Sequence, residues 1–120
     1  MIIDTHAHLD VENYSEDLPE VIARAKEAGV KKIFIPSIDL ATVDSVIDIC
    51  NQYPGYCYPM IGLHPEEVKG DYTEVLQKMK LRLNGAIEAR KRDEMRIIAV
   101  GEVGLDFYWS REFEKEQILV

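Results

Sequence analysis

Residues 32–63, KIFIPSIDLATVDSVIDICNQYPGYCYPMIGL, switch hydrophobic period twice within one stretch. The runs Lys32–Pro36 and Cys57–Leu63 are continuous rather than alternating, the pattern of strands buried on both faces. Between them Leu40, Val43, Ile47 and Cys50 recur at helical spacing, and Pro54-Gly55 closes that helix. The same strand-then-helix unit extends in both directions. Met1–Asp4 and Arg96–Val103 are further apolar runs. Val21, Ile22, Ala25 and Ala28 mark a helix that opens at Asp17 and Pro19 and stops at Gly29. Tyr72, Leu76, Met79, Leu83 and Ile87 mark another. It starts near Asp71 and ends in Arg90, Lys91 and Arg92, whose cations complement the negative end of a helix dipole. A fourth helix is expected to begin near Ser110.

Four βα units in 120 residues make one α/β domain over residues 1–120. Two architectures fit: half of a (β/α)₈ barrel, whose usual length is about 250 residues, or an open doubly wound sheet. The second fits the length, but no G-x-G-x-x-G follows the first strand and no P-loop occurs. If the chain is half a barrel, its first and fourth strands have open edges. Apolar residues such as Ile33, Ile35, Ile98 and Val100 are then expected to lack cover, and the chain to self-associate through those sheet edges, to pair with a complementary half, or to be the ordered part of a larger molecule.

The chain is 47% hydrophobic and 30% charged, with 14 Lys plus Arg against 22 Asp plus Glu and a net charge of −8. That balance argues against an extended basic surface for nucleic acid. It favours chemistry in which a bound cation supplies the positive charge. No apolar run reaches the roughly 18 residues of a membrane-spanning helix and no signal peptide is visible, so a cytoplasmic chain without membrane attachment is expected. Cys50 and Cys57 read as reduced, buried thiols.

Asp4-Thr5-His6-Ala7-His8-Leu9-Asp10 ends the first strand. In extended backbone, His6 and His8 point to the same side and can converge on one metal ion. Hydrogen bonding to neighbouring loops would equally account for two polar residues there. Glu102 ends the fourth apolar run, where barrel enzymes keep catalytic groups, and Gly101 and Gly104 on either side imply close backbone approach. Two imidazoles and a carboxylate suit zinc, manganese or magnesium. His64, after Ile61-Gly62-Leu63 and before Pro65, is biased toward extended backbone and can aim at the same mouth. Asp106 is a candidate for orienting a histidine or a water, with a loop cap as its alternative. No nucleophilic triad is apparent.

Together, Asp-Thr-His-Ala-His-Leu-Asp, Ile-Gly-Leu-His-Pro and Ala-Val-Gly-Glu-Val-Gly-Leu-Asp-Phe-Tyr resemble, in the right order, the amino-terminal motifs of the TatD-related metal-dependent deoxyribonucleases. These belong to the amidohydrolase-like barrel group. The resemblance covers the whole chain. It implies a (β/α) barrel of the metal-dependent hydrolase type, of which residues 1–120 would be the amino-terminal half, truncated within the fourth helix. It implies one or two divalent ions, with His6 and His8 as ligands of one metal, Glu102 as a catalytic carboxylate bridging or shared by two metals, and His64 beside the substrate phosphate. DNA is the implied substrate. The family's other ligands, two histidines and an aspartate, come from a carboxyl-terminal half. Two rival readings therefore stay open: an inactive fragment or partner subunit, and a metal hydrolase acting on another ester or amide bond.

Overall fold

The computed structural model describes residues 1–91 and 97–120. Four parallel strands, β1 (Ile2–Asp4), β2 (Val30–Pro36), β3 (Cys57–Ile61) and β4 (Ala99–Val100), lie in the order β1-β2-β3-β4. The connecting helices are α1 (Leu18–Glu27), α2 (Leu40–Gln52) and α3 (Tyr72–Lys91), and α4 (Glu114–Leu119) follows β4. Sequential parallel order decides between the two expected architectures. A doubly wound sheet reverses direction at its first strand and so places helices on both faces. Right-handed crossovers that always advance the same way place every helix on one face and curl the sheet into an arc of a barrel.

Local chemistry explains the helix boundaries. Pro19 lies in the first turn of α1, and Gly29, at φ 91°, turns the chain out of it. α2 starts in a capping box in which Asp39 Oδ1 accepts the Thr42 N–H at 2.8 Å and Thr42 Oγ1 accepts the Asp39 N–H at 3.0 Å. α3 begins at Tyr72, one residue beyond the expected start, while Arg92 and the Arg96 start of the fourth apolar run lie outside the described residues. α4 begins at Glu114 rather than near Ser110, because the preceding residues are held in turns. The Glu112 N–H donates to Ser110 Oγ at 3.1 Å, and the Tyr108 N–H donates to Asp106 Oδ1 at 2.8 Å.

Burial on both strand faces is corrected to burial mainly on one in β2 and β3, while β1 and β4 are exposed throughout. In β3, Cys57, Pro59 and Ile61 are buried while Tyr58 and Met60 between them are half-buried. Ile33 and Ile35 of β2, expected to lack cover, are 4% and 0% exposed. They pack with Ile22 of α1 and with Val46, Ile49 and Cys50 of α2 in one core cluster. A second cluster, Val43, Ile61, Leu63, Val68 and Met79, lies between α2, β3 and α3. The helices cover the convex face alone, and among the described residues no helix covers the concave one. Ile98 and Val100 are 39% and 61% exposed, in line with the open edge expected there.

Both cysteines are buried and unpaired, and burial pushes the Cys50 thiol up to about 12 and Cys57 up to about 11.

Candidate metal centre

Parallel strands bring their carboxyl ends to one rim of the sheet, and the sequence places its three histidines and Glu102 just past those ends. After β1 the chain turns where Asp4 Oδ1 accepts the His6 N–H at 3.1 Å. It stays beside β2 through the Ala7 N–H, which donates to the Phe34 carbonyl at 3.2 Å. The imidazoles of His6 and His8 then stand side by side, with Nε2 to Nε2 at 3.1 Å and ring planes 76° apart. Glu102 Oε2 completes a triangle, 3.0 Å from His8 Nε2 and 3.2 Å from His6 Nε2.

Two imidazole lone pairs that face each other beside a carboxylate oxygen are reconciled only by a proton or a cation among them. Three donors at right angles around an ion, each at about 2.1 to 2.3 Å, stand about 3.0 to 3.2 Å apart, the octahedral geometry of hard divalent ions. The observed edges fit that geometry. His6, His8 and Glu102 also form a cluster of potential ligand atoms all within 4.8 Å of one another.

Glu102 reaches the histidines because two glycines let β4 close on its neighbours. The Gly101 N–H donates to the Ile61 carbonyl at 2.7 Å, and a Cβ at Gly101 would stand 3.0 Å from Met60 Cβ and 3.1 Å from Pro36 Cβ. A Cβ on Gly62 would meet the Glu102 carbonyl oxygen at 2.6 Å and its nitrogen at 3.0 Å. Gly62 was not singled out in the sequence, although its position one residue beyond a buried strand was a usable signal. Gly104, expected to allow close approach, has nothing within 4 Å of a would-be Cβ; its φ of 148° is what favours glycine there. Ser37, fully buried, ties β2 to the same spot, since its Oγ accepts the Gly62 N–H at 3.2 Å and lies 3.3 Å from the Gly62 carbonyl.

His64 joins the cluster from β3. Its backbone N–H donates to the Ile38 carbonyl at 2.7 Å, and its Nδ1 accepts the Glu66 N–H at 3.1 Å, capping a short 3-10 turn over Pro65–Glu67. An Nδ1 that accepts leaves the proton of the neutral ring on Nε2, which faces Glu102 Oε1 at 3.4 Å. The two carboxylate oxygens of Glu102 therefore look in different directions, Oε2 to the paired histidines and Oε1 to His64.

Asp106 lies on the loop after β4. Its Oδ1 serves the Tyr108 turn, and its backbone is clamped by the buried Gln117, whose Oε1 accepts the Asp106 N–H at 2.9 Å and whose Nε2 donates to the Asp106 carbonyl at 3.0 Å. The loop-cap alternative describes it. Asp10, the last residue of the first motif, has a buried Oδ1 without a hydrogen-bond partner, and burial raises its pKa. Among the described residues, no helix is long and apolar enough to cross a membrane.

Comparison with known proteins places the sequence and the fold in a family. Residues 3–120 match the family described as TatD related DNase. The chain is 34% identical over 111 residues to YabD of Bacillus subtilis, described as an uncharacterized metal-dependent hydrolase, covering 92% of this chain and 40% of that protein. It is 31% identical over 106 residues to the 3'-5' ssDNA/RNA exonuclease TatD of Yersinia pseudotuberculosis, covering 88% of this chain and 37% of that protein. The crystal structure of YJJV, a TatD homologue from Escherichia coli, superposes with a TM-score of 0.76 at 33% identity, covering 98% of this chain and 43% of that one. The chain thus spans about two-fifths of the length of these relatives. Its curled parallel sheet is an arc of their barrel, and by motif order, fold and sequence the chain belongs to the TatD related DNase family.

Proposed function

We propose that this chain carries part of the active site of a metal-dependent phosphodiesterase that cleaves DNA, working from a strand end. One observation carries the proposal: the triangle of His6 Nε2, His8 Nε2 and Glu102 Oε2, with edges of 3.0–3.2 Å, at the carboxyl rim of a barrel-type sheet. The relatives named as a metal-dependent hydrolase and a 3'-5' ssDNA/RNA exonuclease support the reaction class.

His6 and His8 hold a divalent ion through their Nε2 lone pairs, and Glu102 Oε2 supplies the negative donor. Two imidazoles and a carboxylate suit one or two ions of zinc, manganese or magnesium, and of these manganese, which accepts both donor types, is the proposed occupant. Such an ion, when bound, polarises a phosphate and lowers the pKa of a water. Glu102 is the proposed catalytic carboxylate, positioned to orient that water. His64 presents its Nε2–H beside the same rim and is the proposed donor to a phosphate oxygen. The −8 charge of the chain is compatible with a polyanionic substrate because the ion provides the local positive potential.

We further propose that residues 1–120 are the amino-terminal half of a TIM-like barrel, acting in the cytoplasm, where two buried free thiols stay reduced. β4 of one copy can lie parallel beside β1 of a second, covering Ile2, Ile3, Ile98 and Val100, which are all exposed.

Calorimetric titration with manganese, followed by an assay on end-labelled single-stranded DNA, tests the main proposal. Stoichiometric binding that is lost in His6→Ala and Glu102→Gln, with metal-dependent release of nucleotides, is expected. Metal binding that survives both substitutions would overturn it.

A further inference from the structure

Beyond the metal cluster, the loop after β4 carries a feature the chemistry above leaves unused. Tyr108 and Trp109 are 82% and 74% exposed. Isolated exposed apolar residues are ordinary on a protein surface, but this pair is ordered: the rings meet edge to face, 4.7 Å between centroids and 89° between planes. The loop that carries them is held as well. Asp106 Oδ1 fixes the Tyr108 N–H, and Gln117 clamps the Asp106 backbone on both sides. Two large aromatic faces are therefore preorganised and left in water, at a cost that an unused surface would not carry.

Their position ties them to the site. Trp109 lines a cavity of about 220 Å³ together with Pro65, Glu66, Lys69 and Asp106. Pro65 and Glu66 directly follow His64, whose ring faces Glu102. On the far side, the Arg111 guanidinium lies 5.3 Å from the centre of the Phe107 ring, which keeps a cation on the same loop. Lys69 and Arg111 beside it are each paired with a carboxylate, Glu67 at 3.5 Å and Glu114 at 3.2 Å, so the open aromatic face next to the proposed phosphate-handling centre, and not a basic groove, has the chemistry of a platform for stacking a base.

We propose that Tyr108 and Trp109 form a stacking platform for an unpaired nucleobase of single-stranded nucleic acid, adjacent to the scissile phosphate. The proposal rests on the phosphodiesterase reading. Only an unpaired or terminal base offers a free π-face, because inside a duplex both faces are stacked on neighbours. The platform therefore selects single strands and strand ends by shape and not by sequence.

Trp109 is the only tryptophan of the chain, so its fluorescence reports on this spot alone. The manganese-loaded 120-residue chain is titrated with a short thymidine oligonucleotide whose linkages resist hydrolysis, an abasic strand of equal length and linkage, and a blunt duplex. Quenching by the oligonucleotide, with little by the abasic strand or the duplex, is expected. In anisotropy with a labelled oligonucleotide, Tyr108→Ala and Trp109→Ala should each lose about tenfold in affinity, whereas Trp109→Phe should lose less. Equal binding of the abasic strand, or unchanged affinity in both alanine variants, overturns the platform. Cleavage by the manganese-loaded chain separates the two readings. Cleavage that both alanine variants retain at wild-type affinity leaves the phosphodiesterase standing and removes the platform. Base-dependent quenching in a chain that binds no manganese keeps the platform as a binding site and removes the metal-centre reading on which the phosphodiesterase rests.

Discussion

Gly62→Ala isolates the mechanism that brings Glu102 to the histidines. The added Cβ would stand 2.6 Å from the Glu102 carbonyl oxygen and 3.0 Å from its nitrogen, where ordinary contact begins at 3.4 Å. The obstruction is backbone, not the end of a flexible side chain, so β3 and β4 must part by about 0.8 Å at this point (3.4 − 2.6). Glu102 Oε2 sits 3.0 and 3.2 Å from the two Nε2 atoms, and a shift of that size takes it out of range of an ion the histidines still hold. Loss of one of three donors should weaken manganese binding by about 10- to 100-fold, comparable to the cost of disturbing groups that orient metal ligands. Calorimetry measures the affinity, and thermal melting followed by circular dichroism checks that the variant is folded. Gly70→Ala is the control, because a Cβ there meets nothing within 4 Å. A folded Gly62→Ala protein with wild-type manganese affinity would refute the claim that close β3–β4 approach sets the ligand triangle.

Three other outcomes follow from the same structure. His64→Ala should weaken binding of a phosphate-bearing oligonucleotide more than it weakens manganese binding, since His64 contacts Oε1 and the paired histidines contact Oε2; an equal loss of both would make His64 a ligand. Cys50 and Cys57, with pKa values raised by burial to about 12 and about 11 from 9.0, bind their protons more tightly folded than unfolded. Their contribution to stability is therefore complete below about pH 9 and declines as pH rises toward those values. At about pH 8 both should react with a thiol reagent far more slowly in the native chain than in urea, and rapid native labelling would contradict the burial. Sedimentation should show association of the 120-residue chain that Ile98→Lys and Val100→Lys reduce, because both side chains lie exposed at the β4 edge; a stable monomer at all concentrations would remove the edge-pairing proposal.

The local information in the chain is read well by period and spacing. Continuous apolar runs located all four strands, and proline and glycine punctuation placed α1 and α2 to within a residue or two, because helix initiation and termination depend on side chains adjacent to the backbone they cap. His6 and His8 could be paired from sequence for the same reason: two residues apart in extended backbone is a purely local relation. Their partnership with Glu102, 94 residues beyond His8, is not local. It depends on strands advancing in one direction around an arc, and periodicity cannot separate that order from a doubly wound one, since both are built from the same apolar strands alternating with amphipathic helices. Burial also needed the tertiary structure. Ile35 and Val100 sit in equally apolar runs, yet one lies under α1 and α2 and the other on an open edge. Which oxygen of Glu102 faces which histidine and why Gly62 carries no side chain are both set by contacts between segments far apart in the chain. Local propensity determines which elements form. Only the packing of one element on another determines which side chains meet.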